Sequence, residues 1–384
     1  MSTPTPAGYA TGRILRPSAK SLPEHSRSHN RALVLQTLYR SGSISRADLA
    51  RATGLTRVTI SDLVAQLIGD DLIVELGQRE DARPGKPATL LDINRSGFQI
   101  LGLDLSDHAV LRGSVLDLDG NILERREVLL ENATGSAVVD KVIALIRELI
   151  AAAGAAPIMG IGVGSPGVVD LGGTVISAPH LGWSDLPLQA LLEDATGLPV
   201  LVANDANAAV LAEHSFGGAL SDTMLVKVGH GVGAGLLLGG TPLFGNRFAA
   251  GEIGHVVVGT DGGELCACGK VGCLETWLAI PRLTANLEAT DDPAERDRIL
   301  RRAGERLGIA LAPVVGALDL AEVVLSGPAE LLDGPLAEAA IDTLRNRTMA
   351  EFHGDLTVRM TALGQDIVMR GAAAMVLSGQ LGVS

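Results

Sequence analysis

Three cysteines and one histidine lie close enough in the sequence to hold a metal ion. All three cysteines of the 384-residue chain fall within residues 266–273, and ten residues separate His255 from the first of them. Three thiolates and one imidazole form a tetrahedral zinc set, and the glycines at 269 and 272 allow the chain to fold tightly around an ion. Scattered buried thiols and a redox pair are the alternatives. The spacing predicts one structural zinc ion, bound by His255, Cys266, Cys268 and Cys273.

Polar side chains suited to sugar recognition occur beside this cluster and at a predicted strand end. Asn204 and Asp205 follow a predicted strand and open a helix, which is where open α/β sheets bind ligands. A simple helix cap explains this pair equally well. Glu252, His255 and Glu275 flank the cysteines, so a zinc ion would tie them together. Carboxylates, an amide and an imidazole in one cleft bind hydroxyl groups, which indicates a carbohydrate.

Residues 49–61 have the pattern of two short helices joined by a tight turn. Ala50 is small enough for the helices to approach each other, and Gly54 permits the turn. Short hydroxyl groups and an arginine at the start of the second helix suit contacts with phosphates and base edges in a DNA major groove. An ordinary helical hairpin with a solvated face is the alternative. The candidate DNA-binding residues are Thr56, Arg57, Thr59 and Ser61.

Flanking elements complete a small DNA-binding module. A helix is predicted over residues 30–40, Ser45 and Thr56 are predicted caps of the next two helices, and strands are predicted at 72–76 and 88–93. Three helices and a hairpin are the layout of a winged helix-turn-helix, assigned to residues 28–95 after a flexible arm at 1–27. Arg83 and Lys86 in the hairpin loop are predicted to contact a minor groove, with a solvated linker as the alternative.

The chain from residue 96 to 384 has a different, α/β pattern. Three strands followed by alternating helices and strands occur twice, the second time from about residue 222. This predicts two similar lobes with a cleft between them. The charge-free stretch at 149–169 contains several glycines and prolines, so we interpret it as a helix end, a turn and a buried strand rather than a membrane span.

Charge is distributed unevenly along the chain. The net charge is −13, but residues 1–69 hold nine Lys or Arg against three Asp or Glu, a net charge of +6 on the head and −19 on the remainder. A basic head on an acidic body favours DNA binding by the head alone. Aromatic residues are only 2%, which argues against a stacking platform for single-stranded nucleic acid. The clustered, odd number of cysteines and the absence of a signal-peptide pattern predict a cytoplasmic protein.

These motifs together resemble the ROK family of repressors, open reading frames and sugar kinases. The resemblance covers about three quarters of the chain and rests on residues 164–167, 178–183, 204–207, 251–255 and 266–275. It implies a two-lobed, actin-like fold with a sugar in the cleft, and the N-terminal module resembles that of the repressor branch. By match to the family motif, the sugar-binding residues would be Gly167, Asn204, Asp205, Glu252, His255 and Glu275. His255 would bind zinc through one ring nitrogen and a sugar hydroxyl through the other.

Three positions depart from the kinases of the family. The kinases have Asp-x-Gly-Gly-Thr after the first strand, a turn that binds ATP phosphates, whereas this chain continues from Asp104 with Leu105-Ser106-Asp107-His108. Both glycines are lost, and the Asp107 carboxylate is expected to repel phosphate. His230 stands where the kinases usually have Thr in the second phosphate loop, and His180 where they often have Asn.

These departures favour a regulator over an enzyme. The sequence predicts a sugar-responsive transcriptional regulator, most simply a repressor, that binds operator DNA as a homodimer or homotetramer and a sugar or sugar derivative in its cleft. An ATP-dependent sugar kinase fused to a DNA-binding module is the alternative. A DNA-binding protein with a vestigial cleft is disfavoured because all the polar sugar contacts are present.

Overall fold

The computed structural model describes residues 23–78, 88–259, 262–349 and 355–382. The predicted wing-tip residues Arg83 and Lys86, and most of the predicted arm, lie outside these described residues. Within the described segments, no helix combines the length and the apolar character needed to cross a membrane. The charge-free stretch at 149–169 forms the end of a helix, a turn and a strand, as expected from its glycines and prolines.

The N-terminal module is a winged helix-turn-helix. Ser45 caps the second helix by accepting a hydrogen bond from the Asp48 N–H at 3.2 Å, and Thr56 caps the third by accepting from the Thr59 N–H at 3.2 Å. Gly54 adopts a φ of +71° between them, which confirms the tight turn. A short first strand, which the sequence analysis did not predict, adds to the edge of the hairpin. The elements are α1 (Pro23–Ser41), β1 (Ile44–Ser45), α2 (Arg46–Thr53), α3 (Arg57–Gly69), β2 (Ile73–Gln78) and β3 (Thr89–Ile93).

The first lobe is built on a five-stranded mixed sheet in the order β11-β7-β4-β5-β6. Its first three strands form an antiparallel meander, and β7 and β11 add in parallel on the other side of β4. A small sheet of β8, β9 and β10, absent from the sequence prediction, covers one end. The elements are β4 (Gln99–Asp104), β5 (Val110–Leu116), β6 (Ile122–Leu129), α4 (Ser136–Ala152), β7 (Ile158–Ser165), β8 (Val168–Val169), β9 (Val175–Ala178), β10 (Trp183–Leu186), α5 (Leu188–Thr196) and β11 (Val200–Asn204).

The second lobe repeats this topology. Its sheet has the order β14-β13-β12-β15-β16, so in both sheets the strands follow the sequence third, second, first, fourth and fifth. The repeat confirms the two similar α/β lobes expected from the sequence. The elements are α6 (Asp205–Ala212), which leads between the lobes, β12 (Thr223–Val228), β13 (Val232–Leu238), β14 (Thr241–Pro242), α7 (Leu274–Leu278), α8 (Ile280–Glu288), α9 (Pro293–Leu318), β15 (Glu322–Ser326), α10 (Ala329–Leu332), α11 (Pro335–Arg347), β16 (Thr357–Met360) and α12 (Ile367–Leu381).

The last helix, α12, returns from the second lobe to the first and packs directly on its sheet. Glycines make the approach possible, because a Cβ at Gly162 would lie 2.1 Å from the Ala372 carbonyl oxygen, and one at Gly371 would lie 1.9 Å from the Ala208 carbonyl oxygen. Backbone therefore meets backbone where α12 crosses β7 and α6. The domain bounds of the sequence analysis, with a second lobe from about residue 222, stay predictions.

The winged helix-turn-helix shares a hydrophobic core with the first lobe instead of being tethered by a loose linker. Leu38 and Leu63 of the module pack in one buried cluster with Leu116 of the first sheet and Val376 of α12. The Tyr39 hydroxyl also donates a 2.7 Å hydrogen bond to the Leu118 carbonyl oxygen. The two parts therefore bury a continuous apolar surface between them.

Substitution of Gly371 tests the backbone contact of α12 with α6. Because a methyl group there would overlap the Ala208 carbonyl, we expect Gly371→Ala to lower the free energy of unfolding by about 1–3 kcal/mol or more, measured by urea denaturation. Gly316→Ala on α9 is the matched control, since a Cβ there meets no atom within 4 Å. That variant should gain up to about 1 kcal/mol from the better helix propensity of alanine. Equal stabilities of the two variants would contradict the packing.

Candidate functional site

The junction of β11 and α6 places the predicted Asn204 and Asp205 in the cleft. The Asn204 Oδ1 caps α6 by accepting from the Ala206 and Asn207 N–H groups at 2.9 and 3.0 Å. Its Nδ2 donates to the Gly167 carbonyl oxygen at 2.8 Å and to Asp205 Oδ1 at 3.0 Å. Asn204 is therefore a helix cap and, with the same amide, a group that orients the Asp205 carboxylate and holds the Gly167 loop beside it.

The position of Gly167 in this loop requires a glycine. Its φ is +80°, and a Cβ there would lie 1.9 Å from the Ser177 carbonyl oxygen. The loop backbone therefore lies so close to the small sheet that no side chain fits between them.

Lys227 lies at the floor of the cleft, and the sequence analysis did not name it. Its Nζ lies 3.0 Å from Asp205 Oδ2 and donates a 2.9 Å hydrogen bond to Ser106 Oγ. Burial lowers the pKa of Lys227, but the negative charges of Asp205 and Asp104 outweigh it and hold the pKa above its usual value. Burial also raises the pKa of Asp104 against the opposing charge of Lys227. The signal that could have identified Lys227 in the sequence is its position as the single charge in the otherwise apolar strand β12.

The second lobe contributes the other predicted sugar ligands. Glu252 precedes a 3₁₀ turn whose last residue is His255, and Glu275 is the second residue of α7. The Glu275 carboxylate accepts from the Val232 N–H at 3.3 Å, which fixes it at the start of β13. Desolvation raises the pKa of Glu252, His255 lowers it, and the negative charges of Asp205 and Glu275 raise it further. The structure therefore brings acidic groups of both lobes to one cleft.

Three histidines form a stack that crosses between the lobes. The His108 ring lies between those of His180 and His230, with centroid separations of 4.3 and 4.2 Å and interplanar angles of 18° and 9°. Burial and the neighbouring His108 lower the pKa of His180 to about 4, and burial also lowers the pKa of His108. The stack is therefore composed mainly of neutral rings at pH 7. These are the same three positions at which the sequence departs from the kinases.

Asp107, whose charge is expected to repel phosphate, has partners of its own in the structure. Its Oδ1 accepts from the Ala109 N–H at 2.8 Å, and its Oδ2 accepts from Arg112 Nη1 at 3.1 Å. Arg112 also lies 3.2 Å from the Glu127 carboxylate, so one arginine is shared by two acidic groups. The Asp107 carboxylate thus shapes its own loop and is partly compensated by Arg112.

The predicted metal ligands converge in a tight hairpin. The four ligand atoms lie within 4.8 Å of one another, with 3.5 Å between Cys266 Sγ and His255 Nδ1 and 3.6 Å between Cys268 Sγ and Cys273 Sγ. Bond lengths of about 2.3 Å to sulfur and about 2.0 Å to nitrogen give tetrahedral edges of roughly 3.5–3.8 Å, so the set fits a zinc ion.

The surroundings of the thiols are uneven. A hydrogen bond from the Lys270 N–H lowers the pKa of the exposed Cys268 thiol to about 7, whereas burial raises that of Cys273 to about 12. An ion bound here would favour the thiolate at all three cysteines. Cys266 Sγ also lies 3.7 Å from Glu275 Oε1, so the metal hairpin contacts one of the predicted sugar ligands directly.

The start of α3 presents the predicted DNA-binding residues to solvent. Thr56, Arg57, Thr59 and Ser61 are all exposed or partly exposed. The hydroxyls also serve the helix, because Thr56 Oγ1 lies 2.9 Å from Thr59 Oγ1 and Ser61 Oγ donates to the Arg57 carbonyl oxygen at 2.9 Å.

Val58 is a further exposed residue on α3 that the sequence analysis missed. It is 72% exposed and, at 100° per residue, points almost directly away from the buried face formed by Ile60, Leu63 and Leu67. Its clue in the sequence is an apolar residue that does not fit the helical repeat of the core.

Known transcriptional regulators are similar to this chain over most of its length. The chain is 28% identical to the xylose repressor of Caldicellulosiruptor bescii, over 92% of this chain and 96% of that one. Among solved structures, it is similar to a ROK family transcriptional regulator described as a homolog of the E. coli MLC protein, with 27% identity, a TM-score of 0.81 and coverage of 94% and 98% of the two chains.

A kinase is similar to the two lobes alone. The ROK family glucokinase from Streptomyces griseus, solved with glucose and AMPPNP, has 26% identity to this chain and a TM-score of 0.63. The similarity covers 72% of this chain and 98% of the glucokinase chain. The ROK family model matches residues 101–378, which is most of the chain. The two-lobed fold, the cleft and the family match lead to one conclusion: this chain belongs to the ROK family.

Proposed function

We propose that this protein is a sugar-responsive transcriptional regulator, in the simplest case a repressor, that binds operator DNA through its winged helix-turn-helix and a sugar through its interlobe cleft. The observation that carries the proposal is the shared hydrophobic core between the DNA-binding module and the sugar-binding lobe. The similarity to repressors over nearly the whole chain, module included, supports it. Regulation of this kind places the protein in the cytoplasm with its DNA.

A continuous path of packed elements would carry the sugar signal. Asp205 begins α6, the α6 backbone contacts α12 at Gly371, and α12 packs in the same core as α1 and α3. A sugar that binds acids of both lobes favours one interlobe arrangement, and it can shift DNA binding only by its difference in affinity for the two arrangements. A dimer or tetramer would present two recognition helices to two half-sites of an operator.

On the DNA side, we propose that Arg57, Thr56, Thr59 and Ser61 contact the major groove. Val58 joins them, because its exposed methyl groups suit the C5 methyl of a thymine. Arg83 and Lys86 stay predicted minor-groove contacts. On the sugar side, Gly167 and Asn204 shape the site, while Asp205, Glu252, His255 and Glu275 accept or donate hydrogen bonds to hydroxyls.

Paired variants test the two halves of this function. With an operator fragment selected from genomic DNA, Arg57→Ala should weaken binding by roughly 1–3 kcal/mol in an anisotropy titration, since a base contact is lost. Arg298→Ala, which removes the same charge from an exposed side chain of α9, is the matched control and should bind as the wild type does.

Asp205→Asn is the reciprocal variant. It should bind the operator as the wild type does but lose the change in operator affinity that the sugar causes. Operator binding that survives deletion of residues 1–95, or a full sugar response in Asp205→Asn, would contradict the proposal.

We further propose that His255, Cys266, Cys268 and Cys273 bind one structural zinc ion. The tetrahedral spacing of the four ligand atoms supports it. The ion would fix the hairpin against α7 and so hold Glu275 and Glu252 in the cleft. The proposed ion is structural and takes no part in a reaction, because four protein ligands leave it no open coordination position.

Loss of one ligand should release the metal. We expect Cys268→Ser to reduce the zinc content measured by elemental analysis from about one ion per chain to a small fraction of that, and to weaken the sugar response without changing operator affinity. Lys270→Ala in the same hairpin keeps all four ligands and should retain the ion. Zinc-free wild-type protein, purified without chelator, would show that the cluster is not a zinc site.

We propose that the chain is not a kinase, although the similarity to a glucokinase makes that the second candidate. Asp205, which matches the general base of the family's kinases, is paired with Lys227 at 3.0 Å. Ser106 and Asp107 stand where the kinases have the two glycines of the phosphate-binding turn, and His108, at the Thr position, stacks against His230 of the opposite loop. Phosphoryl transfer depends on positioning and charge stabilisation of the transferred group, and neither is provided here.

An assay of ADP release tests this point. With ATP, magnesium and a sugar that stabilises the protein, turnover should be far below the roughly 1–100 s⁻¹ typical of kinases. A variant with Gly-Gly-Thr in place of Ser106-Asp107-His108 should bind ATP more tightly than the wild type. Kinase-like turnover by the wild type would establish the alternative function, and unchanged ATP affinity in the variant would show that the His108 loop is not the obstruction.

A further inference from the structure

The cleft contains many negative charges and very little positive charge. Four carboxyl groups contribute negative charge to its interior, namely Asp104, Asp205, Glu252 and Glu275. Among the described residues, Lys227 is the only lysine or arginine that approaches the carboxylate of Asp205, Glu252 or Glu275 within ion-pair distance. Recognition of a phosphate group in proteins depends on available cations or free backbone N–H groups.

The one cation at the cleft floor is already engaged. Lys227 Nζ lies 3.0 Å from Asp205 Oδ2, and Asp104 adds a second negative charge to its surroundings. Its remaining hydrogen bond goes to Ser106 Oγ at 2.9 Å. A phosphate dianion could contact Lys227 only by competing with two carboxylates, which would then lie unpaired beside a group of the same sign.

The histidine stack closes the other approach. His108 follows the first strand of the first lobe, and His230 follows the first strand of the second, so their contact joins the two loops that bind phosphates in kinases. A phosphate between these loops would have to displace the central His108 ring. Protonation of His108 or His180 to attract the anion is opposed by burial and by the stacked neighbouring ring, both of which lower the pKa of these two imidazoles.

We propose that the cleft selects an uncharged sugar and excludes sugar phosphates, and that the Asp205–Lys227 pair and the His180–His108–His230 stack determine this selectivity. The inference rests on the proposed sugar-sensing function and adds the chemical class of the ligand. In this assignment the three histidines are specificity-determining residues that need not touch the sugar itself. Their contribution is to occupy the side of the cleft where a phosphorylated substituent would lie.

Isothermal titration calorimetry of the full-length, zinc-containing protein at pH 7.5 tests the selectivity. The probes are four matched pairs: glucose, mannose and N-acetylglucosamine, each against its own 6-phosphate, and xylose against its 1-phosphate, because the terminal O5 of xylose closes the pyranose ring. At least one free sugar should bind, and its phosphate should bind at least 30-fold more weakly. A phosphate that binds as tightly as its free sugar overturns the inference while leaving sugar sensing intact. If none of the eight compounds binds, sugar sensing and the inference built on it both fail.

Two histidine variants test whether the stack is the cause. His108→Ala removes the central ring, and His180→Asn introduces the amide that the related kinases often have. In each variant, the ratio of the affinity for the free sugar to the affinity for its phosphate ester should fall at least fivefold relative to the wild type. His29→Ala, on α1 of the DNA-binding module, is the matched control and should keep the wild-type ratio. If both stack variants fold, as judged by an unchanged thermal transition, and also keep that ratio, the stack is not the specificity determinant.

Discussion

The direct contact of backbone with backbone around α12 is the constraint on which the remaining architecture depends. Glycines at 102, 162 and 371 let the backbone of this helix contact the backbones of the first sheet and of α6 directly at these points. Close packing of this kind transmits displacement because protein interiors compress very little. The same helix buries its other face with α1 and α3, so the DNA-binding module and the sugar cleft are two ends of one packed unit.

An internal ion pair joins Lys227 to the acidic groups of the cleft. A lysine at position 227 among buried strands is costly to desolvate, and it is retained because Asp205 and Asp104 compensate its charge. In the function proposed above, this pair and the contact of His108 with His230 take the space that the family's kinases leave open for phosphates. On that proposal the lobes respond to a sugar without nucleotide.

In the proposed zinc site, the metal hairpin has a different task from the cleft floor, since it would position the acids of the second lobe. Two short antiparallel bridges, Val257 with Cys273 and Leu265 with Val271, bring the ligands into register. Cys266 and Cys273 are buried, whereas Cys268 is exposed. A bound zinc ion would cross-link a loop that has little local apolar surface to stabilise it.

The sequence by itself determined the order and the type of most helices and strands, the caps at Ser45 and Thr56, and the four residues that converge in the candidate metal site. These features depend on periodicity and on short spacings, which are local properties of the chain. It also identified His108, His180 and His230 as departures from the kinases, but only one at a time. Tertiary structure alone decided that the three rings stack, that Lys227 pairs with Asp205, and that Arg112 lies between Asp107 and Glu127. Those contacts join residues from loops and strands far apart in the sequence, and whether a charge is paired or a ring is covered depends on which distant neighbour the fold places beside it.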